Sequence, residues 1–120
     1  MTPDEARDSL TTISHDTADL LDVDGWKESG EPSVSSCARG LKWSYGYNAP
    51  LPDAARLEDA QTVADYWKGL GMAVRINTEH DPVVFATGGP LQGISFSAGP
   101  DTYSISGTSM CVPGDPDEWR

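Results

Sequence analysis

The sequence predicts an α+β fold: a two-layer sandwich in which a five-stranded mixed sheet carries two helices on one face. Three observations predict it. Two stretches repeat apolar residues at helical spacing, and five others alternate at the period of a strand. The order along the chain is α-β-α-β-β-β-β, so the strand–helix–strand step implies a right-handed crossover between parallel strands, followed by an antiparallel meander. Of the two cysteines, Cys37 opens the first strand stretch and Cys111 closes the last, each on the apolar parity of its own stretch. That parity places the first and last strands side by side and gives the sheet order 1-5-4-3-2.

The first helix is expected over residues 3–22. Thr2 can cap it, Pro3 takes the first helical position, and Glu5 completes a Thr-x-x-Glu capping box. Leu10, Ile13, Thr17, Leu20 and Leu21 form one narrow apolar stripe, which fades at Asp24-Gly25. Lys27 to Pro32 reads as loop or a short edge strand. The first strand is expected over residues 36–47, with Cys37, Arg39, Leu41, Trp43, Tyr45 and Tyr47 on its bulky face and Ala38, Gly40, Lys42, Ser44 and Gly46 on its small one. After the break at Pro50-Leu51-Pro52, Asp53 caps a second helix that runs to about Leu70. Its stripe of Leu57, Ala60, Val63, Ala64, Trp67 and Leu70 is the wider of the two.

Four strands follow: Met72 to Thr78, Val83 to Thr87, Ile94 to Ala98 and Tyr103 to Val112. His80-Asp81-Pro82, Gly88-Gly89-Pro90 and Gly99-Pro100-Asp101 suit the reversals between them. Pairing Cys37 opposite Cys111 sets Leu41 against Gly107, Trp43 against Ile105 and Tyr45 against Tyr103. Every pair then shares a face. A bridge closing a loop of about 75 residues is worth about 4 kcal/mol in the chain-entropy account. The domain is expected to span 1–112, with 113–120 a flexible acidic tail.

Composition limits the partners. Nineteen acidic and eight basic side chains leave a net charge of −11 over 120 residues, whose field repels nucleic acid and anionic lipid. The charge serves solubility, or forms an acidic surface for a basic partner. No apolar run reaches the roughly 20 residues of a membrane span. Met1-Thr2-Pro3-Asp4-Glu5 does not read as a signal peptide, while two cysteines at strand ends suit an oxidising compartment. Two expectations follow: the mature part of an exported protein, or a cytoplasmic protein with two buried thiols.

Catalytic chemistry finds little footing. His15 lies on the polar flank of the first helix and His80 in a turn, and a Ser/His/Asp or Cys/His arrangement would need one of them beside a nucleophile. Two cysteines and two histidines match a zinc ligand count but not zinc spacing. Gly88 to Gly93 lies between strands, where a hairpin loop is expected, whereas a phosphate loop opens a helix. Asp16, Asp19 and Asp22, like Asp115, Asp117 and Glu118, lack a calcium-loop pattern. Trp26, Trp43 and Trp67 suit the core, whereas Trp119 sits in the acidic tail. The opposite sheet face would carry Lys42, Ser44, Ser95, Ser97, Ser104, Ser106, Thr108, Arg75, Asn77 and Glu79, as a solvated surface or as a platform for a protein or glycan.

Gly25-Trp26, Cys37, Trp43-Ser44-Tyr45, Trp67-Lys68-Gly69-Leu70-Gly71 and the closing Ser106-Gly107-Thr108-Ser109-Met110-Cys111 together resemble small exported domains, often lipoproteins, of high-GC Gram-positive bacteria. The resemblance covers roughly residues 20–112. It implies a Cys37–Cys111 bridge and a position outside the membrane behind a lipidated cysteine, which this chain does not contain. It transfers no active-site residue.

The expected function is a non-enzymatic extracytoplasmic domain of the cell envelope that binds an unknown protein, with no nucleic acid, no membrane span in this chain and a lipid anchor possible upstream. No catalytic, cofactor-binding or metal residue is assigned, and Cys37 and Cys111 are structural. The alternative is an acidic inhibitor or immunity-type protein that occludes a basic site on a toxin or nuclease. A hydrolase with an unrecognised site comes third.

Overall fold

The structure is a computed structural model that describes residues 1–52 and 56–120. Helix α1 spans Pro3–Asp19. Its capping box closes as the residue types require: Thr2 Oγ1 accepts the Glu5 N–H at 3.2 Å, and Glu5 Oε1 accepts the Thr2 N–H at 2.9 Å. The helix ends a turn short of residue 22, and Leu20 is left 47% exposed. Ala6, Leu10, Ile13, Ser14, Thr17 and Ala18 make its buried face. The two buried hydroxyls bond the preceding turn, Ser14 to the Leu10 carbonyl at 2.8 Å and Thr17 to that of Ile13 at 2.7 Å, so neither leaves an unpaired group in the core.

Helix α2 spans Arg56–Gly69 and buries Ala60, Val63, Ala64 and Trp67. Leu57, expected in its apolar stripe, is 60% exposed. The expected cap, Asp53, lies outside the described residues. The helices meet where the Trp67 indole N–H donates to Thr17 Oγ1 at 3.0 Å.

The expected five-stranded mixed sheet of order 1-5-4-3-2 is not what forms. The sheet has eight strands: β1 (Lys27–Glu28), β2 (Ser33–Cys37), β3 (Gly40–Pro50), β4 (Ala73–Asn77), β5 (Val83–Gly88), β6 (Leu91–Ala98), β7 (Thr102–Ser109) and β8 (Val112–Pro113). Their order is β1-β3-β7-β6-β5-β4, with β2 and β8 also paired to β3, and every pairing is antiparallel. The overturning feature is a tight hairpin inside the stretch read as one strand. Cys37 pairs with Gly40, and Ala38 turns the chain at a φ of 37°. Cys37 therefore belongs to β2, and the register anchored on it slips by four. Tyr45 lies opposite Gly107, Tyr47 opposite Ile105 and Ala49 opposite Tyr103.

Both helices cover the same sheet face, α1 over β3 and β7, α2 over β4, β5 and β6. Trp43, Tyr45, Ile105, Ile94, Phe96 and Val84 fill the space between the layers. Gly107 is a point of close approach, since a Cβ there would come within 2.7 Å of Leu10 Cδ1. Cys37 and Cys111 are bridged, with Cα atoms 6.0 Å apart, and tie β2 to the start of β8 on either side of Gly40. Beyond β8 a 3-10 turn forms at Pro116–Trp119. There Trp119 meets Trp43 edge-on at 5.7 Å, with the Arg7 guanidinium 5.5 and 5.7 Å from the two rings.

Candidate functional site

Among the described residues no helix lies on the other face of the sheet, and its side chains fall into transverse rows set by the registers. Ser44, Thr108, Gly93, Thr87 and Ala73 make the first row. Gly46, Ser106, Ser95, Phe85 and Arg75 make the second. Lys27, Asn48, Ser104, Ser97, Val83 and Asn77 make the third. Twelve of these sixteen residues are Gly, Ala, Ser, Thr or Asn. Small side chains keep the floor low, and the twist of the sheet hollows it into a concavity of about 730 Å³. Ser29, Glu31 and Ser33 border one end and Arg75 and Phe85 the other.

The charge on this face is unlike that of the chain. Among all the strand residues the one carboxylate is Glu28, and it faces the helix layer, where it accepts a 2.8 Å hydrogen bond from the Tyr45 hydroxyl. The open face instead carries Lys27, Lys42 and Arg75, three of the chain's eight basic residues. A molecule of net charge −11 thus keeps, among the described residues, all its acids but Glu28 on the helices, loops and tail, with Glu31 at the rim of the concavity.

Of the residues expected on a polar platform, Ser44, Ser95, Ser106, Thr108 and Arg75 line the concavity. Ser97, Ser104 and Asn77 lie one row away, and Lys42 precedes Ser44 on β3. Glu79 lies past the end of β4, its N–H bonded to Asn77 Oδ1 at 3.0 Å. Phe85 and Lys27 were not foreseen there. Phe85 is 39% exposed, and the Arg75 guanidinium lies 5.1 Å from its ring centre.

The structure brings together a second group, on the helix side. His15 Nε2 lies 2.8 Å from the Tyr45 hydroxyl, which donates to Glu28, so His15 supplies the donor in that contact. His15 also packs on Tyr47 at 4.7 Å, and Trp26 stacks on the far side of Tyr47 at 5.3 Å. Burial, then the bond to Glu28, raises the Tyr45 pKa well above the ordinary phenol value. Tyr103 is raised in the same way by burial and by its 2.7 Å bond to Asp59. This chain of contacts ties β1 to α1. The expected polar flank of α1 is therefore half buried at His15. His80 is exposed in the turn after β4. The Gly88 to Gly93 stretch forms the β5–β6 turn and the start of β6. Among the described residues no three His, Cys, Asp or Glu side chains gather as a metal site.

These layers define an α+β sandwich with one covered and one open sheet face. Its architecture is similar to the crystal structure of a DUF4853 family protein from Actinomyces odontolyticus, with a TM-score of 0.55 and 17% identity. The match covers 94% of this chain and 64% of that one, so the chain spans less than two-thirds of that protein's length. At that identity the likeness shows the fold alone. No protein-family model matches the chain, and no curated protein matches it. Among the described residues no helix is long and apolar enough to cross a membrane.

Proposed function

We propose that the chain is a non-enzymatic binding domain of the cell envelope whose open sheet face engages a protein partner outside the cytoplasm. The observation that carries this reading is the open face itself: concave, floored by small hydroxylated residues, with no carboxylate on its strands, Glu31 at one rim, and three cations on it in a molecule of net charge −11. A face kept only for solubility in so acidic a chain would share its carboxylates. The Cys37–Cys111 bridge supports an oxidising compartment. Both histidines are accounted for without a reaction, His15 by its bond to Tyr45 and His80 by an exposed turn.

A photo-cross-linker placed at Ser95 or Ser106, against controls at Thr12 and Asp65 on the exposed helix surfaces, tests the reading in the native host. Cross-links to an envelope protein are expected from the sheet positions. Cross-links from the helix positions alone would favour the second reading, an inhibitor that presents Asp8, Asp16, Asp19 and Asp65 to a basic site. That association would slow steeply with salt. The compartment is tested by alkylating the native protein: no reactive thiol is expected. Replacing both Cys37 and Cys111 by Ser should lower unfolding free energy by about 2–4 kcal/mol, read from urea melts.

A further inference from the structure

Strand β4 is the outermost strand on its side of the sheet, paired with β5 on one edge and, among the described residues, with nothing on the other. The opposite side differs: β1 is two residues long, and β2 lies beside the 3-10 turn of the tail. An unpaired strand edge offers a row of backbone donors and acceptors to another chain, and proteins usually blunt such edges with charge, bulges or a cover. On the five residues of β4 the one such device is Arg75. It has no ion-pair partner among the described residues, whereas Arg56 and Arg120 each have one and Arg7 has two.

Three hollows converge here. The large concavity, a second of about 600 Å³ along Ile76 to Glu79 and a third of about 290 Å³ along Ala73 and Val74 all include both Arg75 and Phe85. No other residue lines all three. On the helix-facing side of the strand, Val74 and Ile76 are only half buried, because nothing beyond β4 completes their packing.

We infer that the β4 edge takes up an extended segment of the partner protein as an added antiparallel or parallel strand, with an acidic side chain of that segment paired to Arg75. The inference rests on the open face being the binding surface, and it names the chemistry of the occupant. Each transverse row is extended by one residue. Beyond Ala73, Arg75 and Asn77 the ligand presents a small, an acidic and a polar side chain. Between them it presents apolar side chains beside Val74 and Ile76, which complete the edge of the core. The segment thus reads apolar-acidic-apolar, with affinity from main-chain hydrogen bonds and selectivity from alternate side chains. The acid fits because the strands carry no carboxylate on that face and Arg75 is fixed over Phe85 at 5.1 Å.

The probe is a synthetic peptide, Ser-Thr-Val-Glu-Val-Thr-Ser, added to the intact chain while backbone amide resonances are followed. Shifts are expected on β4 and β5. Arg75→Glu should weaken binding roughly fivefold to tenfold, and the peptide with Lys for Glu should recover it on that variant. N-methylation of the central peptide amides, which leaves the protein untouched, should abolish binding. Equal binding of the Glu and Lys peptides to the unaltered chain, or shifts confined to the helices, overturns the inference. An acidic oligosaccharide such as oligogalacturonate moving the same resonances while the peptide does not would assign the face to a glycan. Dimerisation removed by Arg75→Glu without any peptide would assign it to a second copy. If the peptide fails while cross-links still come from Ser95 and Ser106, this inference falls and the binding face stands.

Discussion

Along Tyr47, Ile105, Phe96, Val84 and Ile76 the sheet presents a row of large apolar groups to two helices. One residue earlier on β3, the row Gly46, Ser106, Ser95, Phe85 and Arg75 presents mostly hydroxyls and open space. The two rows cross the same five strands and belong to the same antiparallel ladders. What separates them is the alternation of the pleat, which lets one backbone serve a packed layer and an accessible one. Stability should therefore be concentrated on one parity and recognition on the other.

The sharpest way to break that division is to truncate one aromatic on each side. Trp67, fully buried beneath α2, should cost about 3–5 kcal/mol on replacement by Ala. Phe85→Ala on the open face should change unfolding free energy by no more than about 0.5 kcal/mol. Urea melts of both variants check this. A loss above about 2 kcal/mol for Phe85→Ala would mean that the open face is part of the core.

A finer test uses neighbours in sequence. Gly107→Val forces a side chain against Leu10 and should cost about 1–3 kcal/mol. Ser106→Val, one residue away, should cost nothing measurable or stabilise slightly, since a β-branched residue suits an exposed strand site. Equal costs would erase the distinction between the faces.

The smallest effect is in pH. Tyr45 and Tyr103 have folded pKa values raised above their ordinary 10.0 by burial and by the carboxylates they bond. Their contribution is complete below about pH 10 and is lost as pH rises through the higher folded values. Thermal midpoints should be insensitive to these groups up to pH 10 and fall beyond it. Tyr45→Phe and Tyr103→Phe should each make that fall shallower, at a cost of about 1 kcal/mol at neutral pH from the lost hydrogen bond.

Much of this layout was legible in residue types. Thr2, Pro3 and Glu5 specify the start of α1 through their own hydrogen bonds, and Val63, Ala64 and Trp67 mark the buried face of α2. The β2–β3 hairpin was not legible, because its turn is Ala38-Arg39, with no Gly, Asn or Pro to announce it. A two-residue turn also inverts the parity of the chain, so Cys37 shares a face with Gly40 and not with Leu41. Counting alternate residues straight through it cannot detect the inversion. The slip of four then went unnoticed because an even shift keeps every pair on the correct face. Phe85 was hidden for a different reason: in Val83-Val84-Phe85-Ala86 both parities are apolar, so the pattern does not say which faces out. The charge of the open face is not legible in the total, since −11 does not say which side chains share a face.

That uneven placement gives the force on an approaching body a sign that depends on range. Beyond the Debye length of about 8 Å at physiological salt, exposed charges are largely screened, and what remains of the −11 net charge pushes another acidic protein away. Within a few ångströms of the open face, Arg75, Lys42 and Lys27 attract what the whole molecule repels. On the proposed reading, a partner bearing one carboxylate on an otherwise neutral segment is repelled less at long range than a uniformly acidic one and still gains the contact with Arg75.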